Sequence, residues 1–306
     1  MSNVKNFFHE VIKSKIPTRY LRALLSRLVF TRFIYWIINY QYIKLFNKCT
    51  FTPKNKTLSI LSELQNKGIL ISDLEEFGLG HLLPLLQNRF KNLSTRGTGS
   101  NTRSTEFNNV IDLNGDLSNE LLSEILCNKD INFIVHNYFQ QIARLGYKEE
   151  VISYPSYSKR SNARLWHRDA ADIKILKLFI YLSDVSLESG PFEYICNTHY
   201  LGTHSNLNSI KSVGISKLNK GELRLEGLVE SRSELNSQIV TAVGKAGTII
   251  FCDTSGIHRG GHCLNSPREL ISFAYYSNSA YLSLPAFVVS DKSFFKSKMM
   301  KAVLGL

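Results

Sequence analysis

The chain has 306 residues, 37 of them basic and 25 acidic, with 43% hydrophobic and 11% aromatic side chains and only 18 Gly and 7 Pro. This composition excludes a disordered tail, a collagen-like repeat and a disulfide-stapled miniature, and the length allows one large domain or two modest ones. Cys49, Cys127, Cys196, Cys252 and Cys263 are scattered without a CxxC pair, and the opening MSNVKNFFHEVIKSK has no secretory pattern, so a reducing, cytoplasmic compartment is expected.

The charge is uneven along the chain. Residues 1–60 hold 11 Lys or Arg against the single acid Glu10, a net +10, whereas the other 246 residues hold 26 bases and 24 acids, a net +2. A basic front end on a nearly neutral body points to an anionic partner for that end. Within it Leu28 to Ile38, LVFTRFIYWII, is apolar apart from Thr31 and Arg32, and Arg19, Arg22, Ser26, Lys44 and Lys48 fall within one arc of a helical wheel. A spanning helix needs about 20 apolar residues. Arg32, Asn39 and Gln41 interrupt the run, so it reads as a helix docked on the body or one lying in a membrane interface. Residues 1–56 are expected to form a basic, aromatic helical extension, with residues 1–48 able to make peripheral contact with an anionic membrane or an acidic partner. No nucleic-acid partner is expected, because no recognition motif accompanies the charge.

Residues 57–147 read as a helical front half. Leu58, Leu61 and Leu64 have helical spacing before Gly68, and Asp73 stands as the cap of a helix over LEEFGLGHLLPLL that breaks near Pro84. The polar stretch 91–109 reads as a long loop or a boundary. Ser118 opens SNELLSEILCNKDINFIVHNYFQQIARL, one helix or two in sequence. After Gly146 the texture changes. KILKLFIYL, PFEYI, SQIVTAV, GTIIF and ELISFAYYS are short β-rich runs without intervening helices, which suggests a sandwich, jelly roll or barrel over about 151–280.

Trp166-His167-Arg168-Asp169 stands just before the strand-like run Ile173 to Leu182. In extended chain, side chains alternate, so His167 and Asp169 share a face, with Cα atoms about 6–7 Å apart, and Arg168 points away. One divalent ion can reach both. Imidazole and carboxylate suit Fe(II) or Mn(II), and a third His would complete one face of an octahedron and leave the other positions open. An HxD alone is a weak signal, equally read as a surface His and a turn-forming Asp. GTIIFCDTSGIHRGGH supplies the third candidate, His258, after an apolar strand. Ten residues on, Arg268 heads the next β-like run, where its guanidinium suits a carboxylate in a bidentate geometry.

His199, His204 and His262 sit in polar turns and read as hydrogen-bonding residues; His9, His81 and His136 lie in helical context and read as structural. Cys252 and Cys263 read as small buried hydrophobes. Arg164 and Lys159, on the approach to the HxD, suit either an acidic substrate or a solvated strand face.

The stretch LWHRDAADIKILKLFIYLSDVSLESGPFEYICNTH, followed by GTIIFCDTSGIHRGG and Arg268, resembles the phytanoyl-CoA dioxygenase group of Fe(II)/2-oxoglutarate-dependent oxygenases. The matching motifs cover roughly 151–280, and the first 56 residues match nothing in that group. The resemblance implies an α+β fold with a double-stranded β-helix (jelly-roll, cupin-like) core in a domain spanning 57–306. It implies His167, Asp169 and His258 as iron ligands, Arg268 as partner of the distal carboxylate of 2-oxoglutarate, and Phe179 as an aromatic beside that cosubstrate. The activity implied is a dioxygenase that uses Fe(II), 2-oxoglutarate and O2 to hydroxylate a small organic or lipid-like molecule, releasing succinate and CO2. Relatives that halogenate have Ala or Gly in place of the Asp, so Asp169 favours hydroxylation. The chain departs from the group at Ile195 to His199, where members typically carry Pro-Gly-Ser/Thr-His. The alternatives are a jelly roll that binds metal or ligand without catalysis and a peripheral membrane protein.

Overall fold

The computed structural model describes residues 29–95, 103–104, 110–112, 117–157, 159–160, 162–169, 171–205, 225–280, 289 and 291–306. Arg19, Arg22, Ser26 and His9 of the basic front end lie outside the described residues, as does most of the loop expected over 91–109.

Helix α1 (Val29–Phe46) ends against the body. Tyr42, Leu45 and Phe46, with Cys49 and Phe51 just after the helix, pack on the main hydrophobic core. Asn39 is fully buried: its Nδ2 donates to Ser279 Oγ at 2.8 Å, and its Oδ1 accepts from the Asn278 amide at 3.0 Å. This half of the segment is therefore docked. Helix α2 (Asn55–Lys67) buries Thr57, Ile60, Leu61 and Leu64 on one face. It stops at Gly68, whose φ of 81° is left-handed and whose amide donates to the Leu64 carbonyl. A Cβ at Gly68 would also lie 2.3 Å from the Tyr194 hydroxyl, so both conformation and space require glycine there.

Strand β1 (Ile69–Asp73) follows directly. The helix expected after Asp73 is a single 3-10 turn, Leu74–Phe77: the Asp73 carboxylate accepts from the Glu75 amide at 2.8 Å, and Gly78, at φ 69°, ends the turn. The chain re-enters helix at α3 (Leu82–Thr95). Pro84 thus sits in the first turn of a helix instead of breaking one, because the amide it lacks has no intrahelical acceptor there. Two short strands follow, β2 (Arg103–Ser104) and β3 (Val110–Asp112). The stretch from Ser118 forms two helices, α4 (Asn119–Leu126) and α5 (Lys129–Phe139); the Asn128 side chain caps the second by accepting from the Asp130 and Ile131 amides.

Strand β4 (Arg144–Ser153) begins before Gly146, earlier than the helical pattern suggested. Its partner opposes Ala274 to Tyr147 but Tyr275 to Leu145, so Gly146 is the extra residue of a bulge. Strands β5 (Ile175–Tyr181), β6 (Phe192–Ile195), β7 (Ile239–Ala242), β8 (Thr248–Asp253), β9 (His258–Gly260) and β10 (Arg268–Tyr276) complete the sheets. Between β6 and β7 lie two short helices, α6 (Glu226–Glu230) and α7 (Ser233–Asn236), and α8 (Lys298–Leu304) closes the chain against the core through Met300, Val303 and Leu304.

The strands form a seven-stranded sheet, ordered β1-β8-β5-β10-β4-β3-β2, and a three-stranded sheet, β7-β6-β9, with antiparallel pairing throughout. Antiparallel sheets with separate helices make an α+β fold. Period-two alternation sorts the central strands. Leu176, Leu178, Ile180, Ile249, Phe251, Ile271 and Phe273 join the helices in one core, while Tyr181, Ile250, Cys252 and Leu270 meet Phe192, Tyr194 and Ala242 of the small sheet in another. The side of the large sheet that faces the small one also carries Lys177 and Phe179.

Candidate metal centre and its surroundings

The segment from Trp166 to Asp169 lies extended against 254–258. The His167 amide donates to the His258 carbonyl at 3.0 Å, the His258 amide returns the bond at 2.9 Å, and the Asp169 amide donates to the Thr254 carbonyl at 3.0 Å. Extended backbone makes the side chains alternate. Arg168 turns away from its neighbours into a buried site, where Nη1 donates to the Ser255 carbonyl and Nη2 to the Thr198 carbonyl, each at 2.7 Å. It clamps the turn before His258 to the turn after β6. His167 and Asp169 turn the other way, toward His258.

One ligand atom from each of His167, Asp169 and His258 lies within 4.8 Å of the other two. The imidazole rings are 4.3 Å apart between centroids, inclined by 51°, and His258 Nε2 is 4.0 Å from Asp169 Oδ2. Each ring is oriented by its other nitrogen: His167 Nδ1 donates to the Leu165 carbonyl at 2.8 Å and His258 Nδ1 to the Gly256 carbonyl at 3.0 Å. That bonding puts the protons on Nδ1 and the lone pairs on Nε2, the arrangement in which metal-binding histidines are held.

The electrostatics favour the ligating forms. Burial, then the neighbouring His167, push His258 down to about 3, against the pull of Asp169, so its ring is neutral near neutral pH. Burial alone would raise the Asp169 carboxyl, but Lys177 and the two imidazoles overturn it and hold the group well below the usual carboxylate range. Lys177 Nζ is 2.8 Å from Asp169 Oδ2. Burial opposes the charge on Lys177, yet Asp169 and then Tyr147 outweigh it and push the lysine well above its ordinary value. The Nε2 atoms of two imidazoles and an ionised carboxylate on one small triangle make a donor set that fits a divalent ion of middling hardness.

Arg268 opens β10 opposite Ser153 of β4 and is buried. Its Nη1 donates to the Gly190 carbonyl and its Nη2 reaches Ser153 Oγ at 3.5 Å, while Nε is buried with no partner. A buried guanidinium with no carboxylate partner and an unsatisfied donor among the described residues is suited to receive an anion. Phe179, on the same face of the large sheet, stacks on Phe192 at 5.0 Å between centroids, and Phe192 lies 5.6 Å from the His258 ring. Arg164, in a 3-10 turn (Asn162–Arg164), is buried; its Nη1 donates to His262 Nδ1 at 3.4 Å and its Nη2 has no partner. Lys159 is exposed.

The remaining histidines are occupied elsewhere. His199 Nε2 meets the Gln65 carbonyl at 3.0 Å, His204 Nε2 meets Gln238 Nε2 at 2.9 Å, His81 pairs with Glu124 at 2.7 Å, and the Ala143 amide donates to buried His136. Cys252 and Cys263 are buried, and burial pushes both thiols up. At the departure Ile195 to His199, Asn197 adopts φ 63°, a left-handed conformation that Asn tolerates better than most residues. Thr198 Oγ1 donates to the Ile195 carbonyl at 2.6 Å and accepts from the Ile257 amide at 2.8 Å, so this turn fixes the approach to His258 without Pro or Gly.

Lys177 is the residue beside the cluster that sequence reading passed over. A signal existed: in ILKLFIY it stands two residues from Phe179, hence on the same face. Arg259 was also unmarked. It lies 4.2 Å from the Trp166 ring centroid and pairs with Glu193 at 2.5 Å and Glu226 at 3.2 Å, while Glu226 accepts from the Trp166 amide at 2.7 Å, fixing the strand that carries His167.

In fold the chain is similar to the non-heme alpha ketoglutarate dependent epimerase SnoN from nogalamycin biosynthesis, with 14% identity and a TM-score of 0.51 over 72% of this chain and 83% of that one. A structure of SnoN in complex with Fe3+, alpha ketoglutarate and nogalamycin RO gives 14% identity and a TM-score of 0.52 over 79% of this chain and 90% of that one. At such identity the likeness speaks to fold. No protein-family model matches the chain, and no curated protein matches it in sequence.

Proposed function

We propose that the protein is an Fe(II)- and 2-oxoglutarate-dependent dioxygenase of the phytanoyl-CoA dioxygenase-like group. Its two sheets would be the walls of a double-stranded β-helix in a domain spanning 57–306, with 1–56 as an extension. The observation that carries this reading is the meeting of His167, Asp169 and His258 within 4.8 Å, both imidazoles held with Nε2 as the unprotonated nitrogen. Fe(II), 2-oxoglutarate and O2 would together supply oxidative decarboxylation to succinate and CO2 coupled to hydroxylation of a small organic or lipid-like molecule.

The chain's own residues have distinct tasks in this scheme. His167, Asp169 and His258 hold the metal. Arg268 takes the distal carboxylate of the cosubstrate through its unsatisfied Nε and the Nη edge beside Ser153. Phe179 and Phe192 wall the space beside His258 and keep water from it. Lys177 neutralises Asp169 and holds one of its oxygens, orienting the carboxylate. A carboxylate at position 169, where a halogenating relative would have a small residue, favours hydroxylation. Cytoplasmic location agrees with the free cysteines. Among the described residues no helix is long and apolar enough to cross a membrane, so any membrane contact of those residues would be peripheral.

Anaerobic addition of Fe(II) and 2-oxoglutarate should produce a weak metal-to-ligand charge-transfer band in visible light. His167→Ala should abolish it, and a wild-type protein that gives no band would overturn the proposal.

A further inference from the structure

A second charged feature lies between the end of α1, the start of β4 and α8. Lys44, Lys48, Arg144, Lys298 and Lys301 line one open cleft of about 650 Å³, and no acidic side chain lines it. None of these four lysines is ion-paired among the described residues, and all four are exposed. Cationic side chains gathered around one space raise the local positive potential, which attracts an anion.

The helix that supplies Lys44 also presents apolar surface. Trp36, Ile37 and Tyr40, within one arc of the helix, are each about half exposed, at 50%, 51% and 50%, unusual for large apolar side chains that share a face. Trp36, Tyr40 and Lys44 follow one another at i, i+4 and i+8, so two aromatic rings and an ammonium share a stripe, the rings in edge contact at 5.3 Å. Aromatic rings followed by lysines match the layering of a bilayer surface, with rings at headgroup depth and ammoniums among the phosphates. The exposed Ile37 beside the rings fits acyl chains and has no stacking role for nucleic-acid bases.

We propose that this face docks the protein on an anionic membrane, a phospholipid headgroup phosphate entering the cleft while Trp36, Ile37 and Tyr40 sit in the interface. The site is separate from the metal cluster and stands or falls independently of it. The cleft joins Lys44 and Lys48 of the basic front end to Lys298 and Lys301 near the last residues of the chain.

That junction provides the test. Full-length protein is floated with phosphatidylcholine vesicles, with and without phosphatidylserine. Binding is expected only with the anionic lipid. Lys298→Gln combined with Lys301→Gln should weaken it about 25-fold, at about fivefold per lysine, with an unchanged melting temperature. Trp36→Ser should weaken it as well. Equal flotation of the double variant would show that the amino-terminal charge binds without the cleft and would overturn the proposal. So would equal binding to neutral vesicles, no binding to either, or release of the protein by millimolar inorganic phosphate, which would mark a site for a soluble anion.

Discussion

Seven residues of β5 serve two surroundings that share nothing but a backbone. Leu176, Leu178 and Ile180 enter the apolar core beneath the helices, whereas Lys177 and Phe179, between them, face the small sheet, one paired with Asp169 and the other one ring away from His258. Strand β8 repeats the division, with Ile249 and Phe251 on the helix side and Ile250 and Cys252 opposite. Burial acts on both sides, pushing His136 on the helix side and His258 on the other down to about 3. What differs is that the site face also keeps a charged pair, Lys177 and Asp169, because the two face each other at 2.8 Å. Period two is what keeps these tasks apart: a side chain can be chosen for chemistry without disturbing the core one residue away.

The sharpest way to break this comparison is to substitute on one face and look for consequences on the other. Phe251→Ala, in the helix-side core, should cost about 3–5 kcal/mol of stability. Urea unfolding measures that loss, and iron affinity of the folded fraction should stay near wild type. Arg268→Met, on the other face, should do the reverse. If Arg268 holds the cosubstrate carboxylate as proposed, its loss should weaken 2-oxoglutarate binding by about 2–5 kcal/mol. Calorimetric titration would show it, with the urea midpoint little changed.

Acid should expose the helix-side burial through His136. Its folded pKa, about 3, lies below the unfolded value of about 6.5. The unfolded chain therefore binds more protons between those values, so the stability this residue contributes is complete above about pH 6.5 and drains as pH falls toward 3. His136→Gln should flatten the acid limb of metal-free protein by up to about 1.4 kcal/mol per pH unit in that window. An unchanged slope would mean that the imidazole is hydrated. The smallest effect is expected in the turn that supports His258: Asn197→Ala should cost about 1–2 kcal/mol through its left-handed conformation. Asn197→Gly should cost much less, as thermal melts would show.

What was legible from sequence follows the same physical division. Alternation around His167 placed Asp169 on its face and Arg168 on the opposite one because short-range extended geometry requires it. Asn128 and Ser118 mark their helix starts through local hydrogen bonds. Tertiary pairing, by contrast, leaves little local trace. Strand β1 is defined by its pairing with β8, and β4 extends through Gly146 only because a bulge against β10 accommodates the additional residue. Pro84 carries no sign of whether a helix ends or begins at it. Lys177 looks like a solvated strand residue until Asp169 is seen 2.8 Å away.

How many ferrous ions the chain holds, and through which side chains, decides whether His167, Asp169 and His258 form a metal centre. Anaerobic equilibrium dialysis of wild type, His167→Ala, Asp169→Ala and His258→Ala against Fe(II) measures both. One ion per wild-type chain, and none in each variant at the concentration that saturates wild type, is the predicted result. Iron bound equally by all four proteins would contradict it.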